Sequence, residues 1–284
     1  MSDIVPRLIP RVLIHIIPSH TGLRDDFRNN LQQLARDNPL WQQRVFSDEE
    51  AERYILAYFG VQYVEALARI DPSYGPARSD LMRYLILYHL GGVYLDTKSG
   101  LDRPLEEIVR DDDEFVISQW QNGPGGKHQG IGLHPELAHV PHGEYQNWLI
   151  VTRPGHPFLA AVINAVLKNI ESYTPEKFGT GKNGVLRVTG PIVYTLTIHP
   201  LLSQYPHRRV VCVEAGFLYA VKGGMEHHVL TDKLHYSRLS HPVVMPSKTA
   251  HWLQRTRHTI LRWMLLHVAR CKQWNRLRLQ KRRA

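Results

Sequence analysis

Apolar residues recur along this chain in two alternating rhythms, short compact runs and longer stretches at helical spacing, with Gly and Pro at the boundaries. Val12 to Ile17 is a compact run with β-branched residues, closed by Pro18, and predicts a first strand. Residues 23 to 37 read as a surface helix and Trp41 to Phe46 as a second strand. Ser47 followed by Glu50 forms a capping box, so a helix is expected from Asp48 to Phe59. After Pro76, which suits a first helical turn, Leu81, Tyr84, Leu85 and Tyr88 fall at i, i+3, i+4 and i+7. Met82, Ile86 and Leu87 take the other sides, and a helix apolar nearly all round is a buried one. Gly91 and Gly92 end it in a sharp reversal, and Val93, Tyr94 and Leu95 form a short strand. Further strands are expected over Phe115 to Ser118, Trp148 to Thr152 and Arg209 to Val213, with helices over Leu159 to Ile170 and from Pro191. This alternation predicts an α/β fold, a parallel or mixed sheet covered by helices.

Candidate chemistry lies where that pattern is broken. Asp80 and Arg83 sit one turn apart in the buried helix, and two buried charges are costly unless paired or hydrogen-bonded. They either satisfy each other as a structural ion pair or meet the polar groups of a ligand. The strand after the glycines delivers Asp96 to its carboxyl end, where open α/β sheets bind ligands, and Thr97 and Lys98 complete an exposed tip. From Trp120 to Tyr145 the hydrophobic period vanishes in favour of Gly, Pro and His, which predicts a long loop. Trp120 and Gln121 at its root suit stacking on, and hydrogen bonding to, a sugar, while its middle reads equally well as a flexible solvent loop. Asp111, Asp112, Asp113 and Glu114 cannot all face one ion and read as a solvated turn.

Taken in order, Ala77, Ser79, Asp80, Arg83, Tyr84, Gly91, Gly92, Val93, Tyr94, Leu95 and Asp96 resemble the core signature of glycosyltransferase family 32. These are the DXD-containing sugar-nucleotide transferases that include fungal α-1,6-mannosyltransferases and bacterial polysaccharide glycosyltransferases. Ile9 to His15 resemble the family's opening strand, Asn38, Pro39 and Trp41 the approach to its second, Gly155 to Phe158 its GHPF turn, and Thr189 to Pro191 its TGP turn. The resemblance spans residues 7 to 245. It implies the GT-A nucleotide-sugar-binding fold and a retaining transfer of a hexose from a nucleotide-diphosphate sugar to a glycan, polysaccharide or glycolipid hydroxyl. It places His15, Asp80, Arg83, Asp96, Thr97, Lys98, Thr189, Gly190, Pro191 and His235 at the donor. Trp120, Gln121 and Asn147 fall at the acceptor, and Asp96, Lys98, Asp80 and Arg83 are expected to carry catalysis.

One departure bears on the cofactor. The family tip is Asp-x-Asp, whose second carboxylate holds a divalent cation on the diphosphate, whereas this chain has Asp96, Thr97, Lys98. An ammonium is not a metal ligand at neutral pH. Three expectations stay open: Lys98 replaces the ion as a point charge, Mn²⁺ or Mg²⁺ is held by Asp96 with His235 or Asp102, or catalysis is lost. The last would leave a noncatalytic sugar-nucleotide or glycan-binding relative.

Composition adds a boundary. The 284 residues are 43% apolar and 21% charged, ordinary for a globular protein, and carry a formal charge of +9. Residues 250–284 hold ten Lys and Arg and no Asp or Glu, leaving 25 basic against 26 acidic residues before them. The body, residues 1–249, is therefore about neutral and is expected to be the GT-A-like domain that the resemblance implies, while the basic excess belongs to an expected C-terminal helix, residues 250–284. Trp252, Trp263 and Trp274 recur every eleven residues, within about 40° on a helix. That stripe, with Arg255, Arg262 and Arg276 beside it, suits either an anionic membrane interface or docking on the body. Nucleic acid is disfavoured as a partner, because the long ordered family resemblance of the body would go unexplained. Cys212 and Cys271 provide no disulfide framework, and Pro6, Pro10 and Pro18 interrupt the early aliphatics, so neither a leader nor a membrane-spanning helix is expected. The expected location is cytoplasmic, peripheral at the cytoplasmic face of a membrane.

Overall fold

A computed structural model describes residues 7–221 and 236–246. The described residues through Val244 belong to one compact unit. Its strands are β1 (Val12–Ile17), β2 (Gln42–Ser47), β3 (Gly92–Leu95), β4 (Gly100–Leu101), β5 (Phe115–Gln119), β6 (Leu149–Thr152), β7 (Arg208–Val211) and β8 (Phe217–Leu218). The helices are α1 (Asp25–Asp37), α2 (Asp48–Phe59), α3 (Val61–Arg69), α4 (Gly75–Leu90), α5 (Leu105–Ile108), α6 (Pro157–Glu171), α7 (Pro175–Phe178), α8 (Gly181–Val188) and α9 (Pro191–Ile198).

Six strands form a mixed sheet in the order β2-β1-β3-β6-β5-β7, and β4 pairs with β8 apart from it. β1 runs parallel to β2 and β3, and β5 parallel to β7, while β6 is antiparallel to both of its neighbours. Side chains alternate between the faces of a sheet, and here the alternation divides the core in two. Ile14, Tyr94, Ile117 and Ile150 pack with residues of α2, α4 and α6 on one face. Leu13, Val93, Val116 and Val151 pack with Leu34 of α1 and Ile108 of α5 on the other.

α4 is buried as its sequence requires, with every residue from Leu81 to Leu87 in the core. The reversal after it is set by two glycines. Gly91 has φ +64° and Gly92 φ +102°, and a Cβ on Gly92 would lie 2.4 Å from the Val12 carbonyl oxygen of the neighbouring strand. The Ser47 capping box is present in both directions.

One element was not foreseen and one expectation needs correction. Thr180 to Asn183 open α8, where Gly181 at φ +57° turns the chain directly into a helix. The long loop has only one short helical turn, Pro135–Leu137, but it is not a loose solvent loop. The Asn122 amide donates to the carbonyls of Ile131 and His142, and Gln119 Nε2 to those of Pro141 and Gly143, so buried side chains tie it shut. The stretch Gly181–Gln204 is apolar and long enough by composition to cross a membrane, but it breaks at Gly190 and half of it is buried in this core. The C-terminal basic stretch lies outside the described residues.

Candidate active site

The mixed topology builds the site. Leu95 pairs with Leu149 across the antiparallel β3–β6 contact, so the end of β3 lies beside the start of β6. The Asp96 amide accordingly donates to the Trp148 carbonyl at 2.9 Å, and Asn147 is drawn against the same tip. β5 flanks β6 on its other side and ends at Gln119, immediately before Trp120. A cavity of about 410 Å³ opens there, lined among others by Asp80, Arg83, Asp96, Lys98, Trp120 and Asn147.

Asp80 is the most constrained group in it. Asn147 Nδ2 donates to Asp80 Oδ1 at 3.0 Å and Thr189 Oγ1 to Oδ2 at 2.9 Å, while Arg83 stands 3.4 Å away. Burial pushes the Asp80 carboxyl up to about 7, against the opposing pull of Arg83 and the two hydrogen bonds. Arg83 Nη1 donates to the Asn147 carbonyl at 2.7 Å, approaches Asp96 at 3.4 Å, and the guanidinium lies over the Tyr94 ring. The Tyr94 hydroxyl donates to Asp96 at 2.9 Å. Asp80 and Arg83 are therefore an ion pair and part of a wider polar cluster at once. Asp96, 24% exposed at its side chain, is the member most open to a ligand.

Lys98 donates to the Tyr219 hydroxyl at 2.7 Å. The small β4–β8 sheet makes that contact: Gly100 pairs with Leu218, so the residues flanking the two strands meet. Thr97 is held at the tip through its carbonyl by Asn30 Nδ2 at 3.0 Å. Gly190 and Pro191 line the cavity, but the Gly190 amide is already bonded to the Val185 carbonyl at 2.9 Å, so it is not a free donor. Thr189 is fully buried and acts by holding Asp80 rather than by facing a ligand.

His15 is a correction. It is fully buried behind the tip, donating from Nδ1 to the Leu95 carbonyl at 2.8 Å and facing Gln43 from Nε2. Burial lowers its pKa to about 4, which keeps it neutral, so it supports the strand bearing Asp96 instead of touching a ligand. Gln121 also turns away, its side-chain nitrogen 3.3 Å from Glu214. Asp102 is taken by Arg103, and the acids after it are structural: Asp113 pairs with Arg208, Glu114 with Arg153 and Asp111 with Arg7. His235 lies outside the described residues.

Four residues that the sequence did not single out also line the cavity: Glu144, His134, Trp148 and Tyr219. Their only sequence signal is the polar, aromatic character of the long loop and its flanks. As for a divalent cation, the donor set among the described residues does not fit one. Both Asp80 oxygens already have donors, an ammonium stands where the second carboxylate of the tip would be, and the described residues contain no group of three His, Cys, Asp or Glu able to hold an ion.

Residues 24–115 match the family model described as "Glycosyltransferase sugar-binding region containing DXD motif", so this part of the chain is similar to that glycosyltransferase family. It is 22% identical over 198 residues to the initiation-specific alpha-1,6-mannosyltransferase of Schizosaccharomyces pombe, covering 64% of this chain and 48% of that protein. It is 26% identical to inositol phosphoceramide mannosyltransferase 1 of the same yeast, covering 56% of this chain and 43% of that one. The chain thus spans about half the length of the curated relatives it matches. Among solved structures, the UDP-bound glycosyltransferase domain from the YGT toxin matches with a TM-score of 0.49 at 10% identity, over 80% of this chain and 82% of that one.

Proposed function

We propose that the protein is a hexosyltransferase of GT-A type that moves a sugar from a nucleotide-diphosphate donor to a glycan, polysaccharide or glycolipid hydroxyl. The observation that carries this reading is the convergence of Asp80, Arg83 and Asp96 in one cavity at the carboxyl end of β3, within a region that matches a sugar-binding family model. Retention of configuration and a mannose-like sugar follow the relatives rather than the geometry.

In the transfer the acceptor oxygen bonds to the anomeric carbon, the bond from that carbon to the diphosphate oxygen breaks, and negative charge grows on the leaving diphosphate. Asp96, and Asp80 beside it, face the sugar and balance its developing positive charge. Arg83 fixes both carboxylates in place. Lys98, positioned by Tyr219, supplies the cation for the leaving group, since a preorganised charge in a partly desolvated cavity acts more strongly than one in solvent.

The test is release of nucleoside diphosphate from a panel of UDP- and GDP-sugars, with Mn²⁺ and with a chelator. Turnover of one donor, reduced about a hundredfold or more by Asp96→Ala, is the expected result. Donor binding without turnover across a broad acceptor panel would favour the noncatalytic reading, and absence of donor binding would overturn both.

A further inference from the structure

Glu144 lines the same cavity as Asp96 and Lys98, yet it belongs to no part of the Asp80–Arg83–Asp96 cluster. It is 7% exposed and comes from the far end of the long loop. Trp120 Nε1 donates to its Oε1 at 2.6 Å, and His134 Nε2 donates to its Oε2 at 2.7 Å. The loop is shaped around this arrangement: Gly132 has φ +77°, and a Cβ there would lie 2.7 Å from both Glu144 Cγ and Trp120 Cδ1.

The way this carboxylate is held separates it from the structural acids of the same protein. Asp113 is forked by Arg208, Glu106 takes Arg7 and Arg11, Glu136 pairs with Arg187, and Glu52 faces Arg78. A guanidinium cancels the charge and fills the oxygens it grips. One indole N–H and one imidazole N–H leave each oxygen of Glu144 with an unused lone pair. Beside it, the rings of Trp120, Trp148 and Tyr219 cluster with centroids 5.1 to 6.0 Å apart. The Trp148 Nε1 is a buried donor with no hydrogen-bond partner among the described residues. A carboxylate with spare acceptor capacity next to aromatic surface, in one cavity, is the chemistry that recognises a pyranose, with hydroxyls on the oxygens and the C–H face on the rings.

We propose that Glu144, held by Trp120 and His134, is the acceptor-specificity residue, accepting hydrogen bonds from hydroxyls of a terminal pyranose on the acceptor. The inference rests on the hexosyltransferase reading and narrows it: the accepting hydroxyl belongs to a sugar-terminated molecule, and a simple lipid alcohol does not satisfy Glu144.

The experiment measures binding of methyl α-mannopyranoside, methyl α-glucopyranoside, methyl α-galactopyranoside and hexanol to the full chain by titration calorimetry, with a nucleotide sugar titrated in parallel. Wild type binds at least one glycoside and not hexanol. Glu144→Gln, which keeps the shape but turns one acceptor oxygen into a donor, weakens the glycoside at least about tenfold, and Trp120→Phe, which removes the indole donor, weakens it less. Donor affinity stays within about twofold in both, which also reports that they fold. Glycoside binding unchanged in Glu144→Gln overturns the proposal. So does a parallel loss of donor and glycoside, or a wild type that binds donor but no glycoside. A wild type that binds no nucleotide sugar instead overturns the hexosyltransferase reading, and the parallel titration tells the two failures apart.

Discussion

Asp80 is the residue where folding and chemistry pull in opposite directions. Its carboxyl is pushed up to about 7 by burial, whereas the unfolded chain releases that proton near 3.8. Between those values the folded state holds more protons than the unfolded one, so stability falls as pH rises, by at most about 1.4 kcal/mol per pH unit from this group. Two expected outcomes follow. Asp80→Asn raises the melting temperature at pH 8 and has little effect at pH 4, where the native carboxyl is already neutral; calorimetric melts at the two values check it. Turnover has the opposite sign, because the ionised carboxylate is the form that faces the sugar: it declines on the acid side with a midpoint near 7, and Asp80→Asn loses that limb along with most activity. Lys98 carries a second prediction. If its ammonium acts where a cation would, wild type keeps full turnover in chelator, Lys98→Ala loses about a hundredfold, and Lys98→Asp requires added Mn²⁺. A Lys98→Asp enzyme fully active in chelator would sink this role.

The elements decide whether those residues can meet at all. The turn between α4 and β3 must reverse within two residues while lying against β1, and both conditions fall on Gly92. Replacing it with Ala forces a side chain to φ +102° and within 2.4 Å of the Val12 oxygen, which is expected to destabilise the fold by about 3 kcal/mol. A urea titration showing a midpoint within error of wild type would contradict that account. The Ser47 cap stands at the other end of the range: Ser47→Ala removes one side-chain acceptor at the start of α2 and costs about 1 kcal/mol. Strand β1 through Ile17, helix α2 with its cap and buried helix α4 were legible in the chain, because each announces itself within one window of local periodicity. α8 was not, since a glycine at its start reads as loop until its backbone angle is known. The long loop misled for a related reason: its order comes from side chains bonded to carbonyls 9 to 24 residues away, for which no local pattern exists.

At the scale of the whole molecule, charge is divided along the chain: a body of balanced charge and a C-terminal stretch that carries the entire basic excess. Deleting residues 250–284 is therefore expected to leave donor affinity unchanged while removing binding to vesicles containing anionic phosphatidylserine. Co-sedimentation of the full chain and the deletion at low and physiological salt checks this, and equal sedimentation of the two would refute it.

Sequence alone determined the alternating architecture, the burial of α4 and the delivery of Asp96 to the end of β3, because periodicity, capping and glycine placement act over a few residues. It also brought Asp80, Arg83, Asp96 and Lys98 forward, since charges in a buried helix and at a strand tip stand out against an apolar background. Only the tertiary structure decided which of the proposed residues meet. The antiparallel insertion of β6 places Asn147 and Trp148 beside Asp96, the β4–β8 pair brings Tyr219 to Lys98, and the closed loop carries Glu144 into the cavity. The same packing withdraws His15 and Gln121 from it. The physical reason is that a side chain's chemical type is local information, whereas its partners and its exposure are set by strand pairings and loop closures between residues distant in sequence.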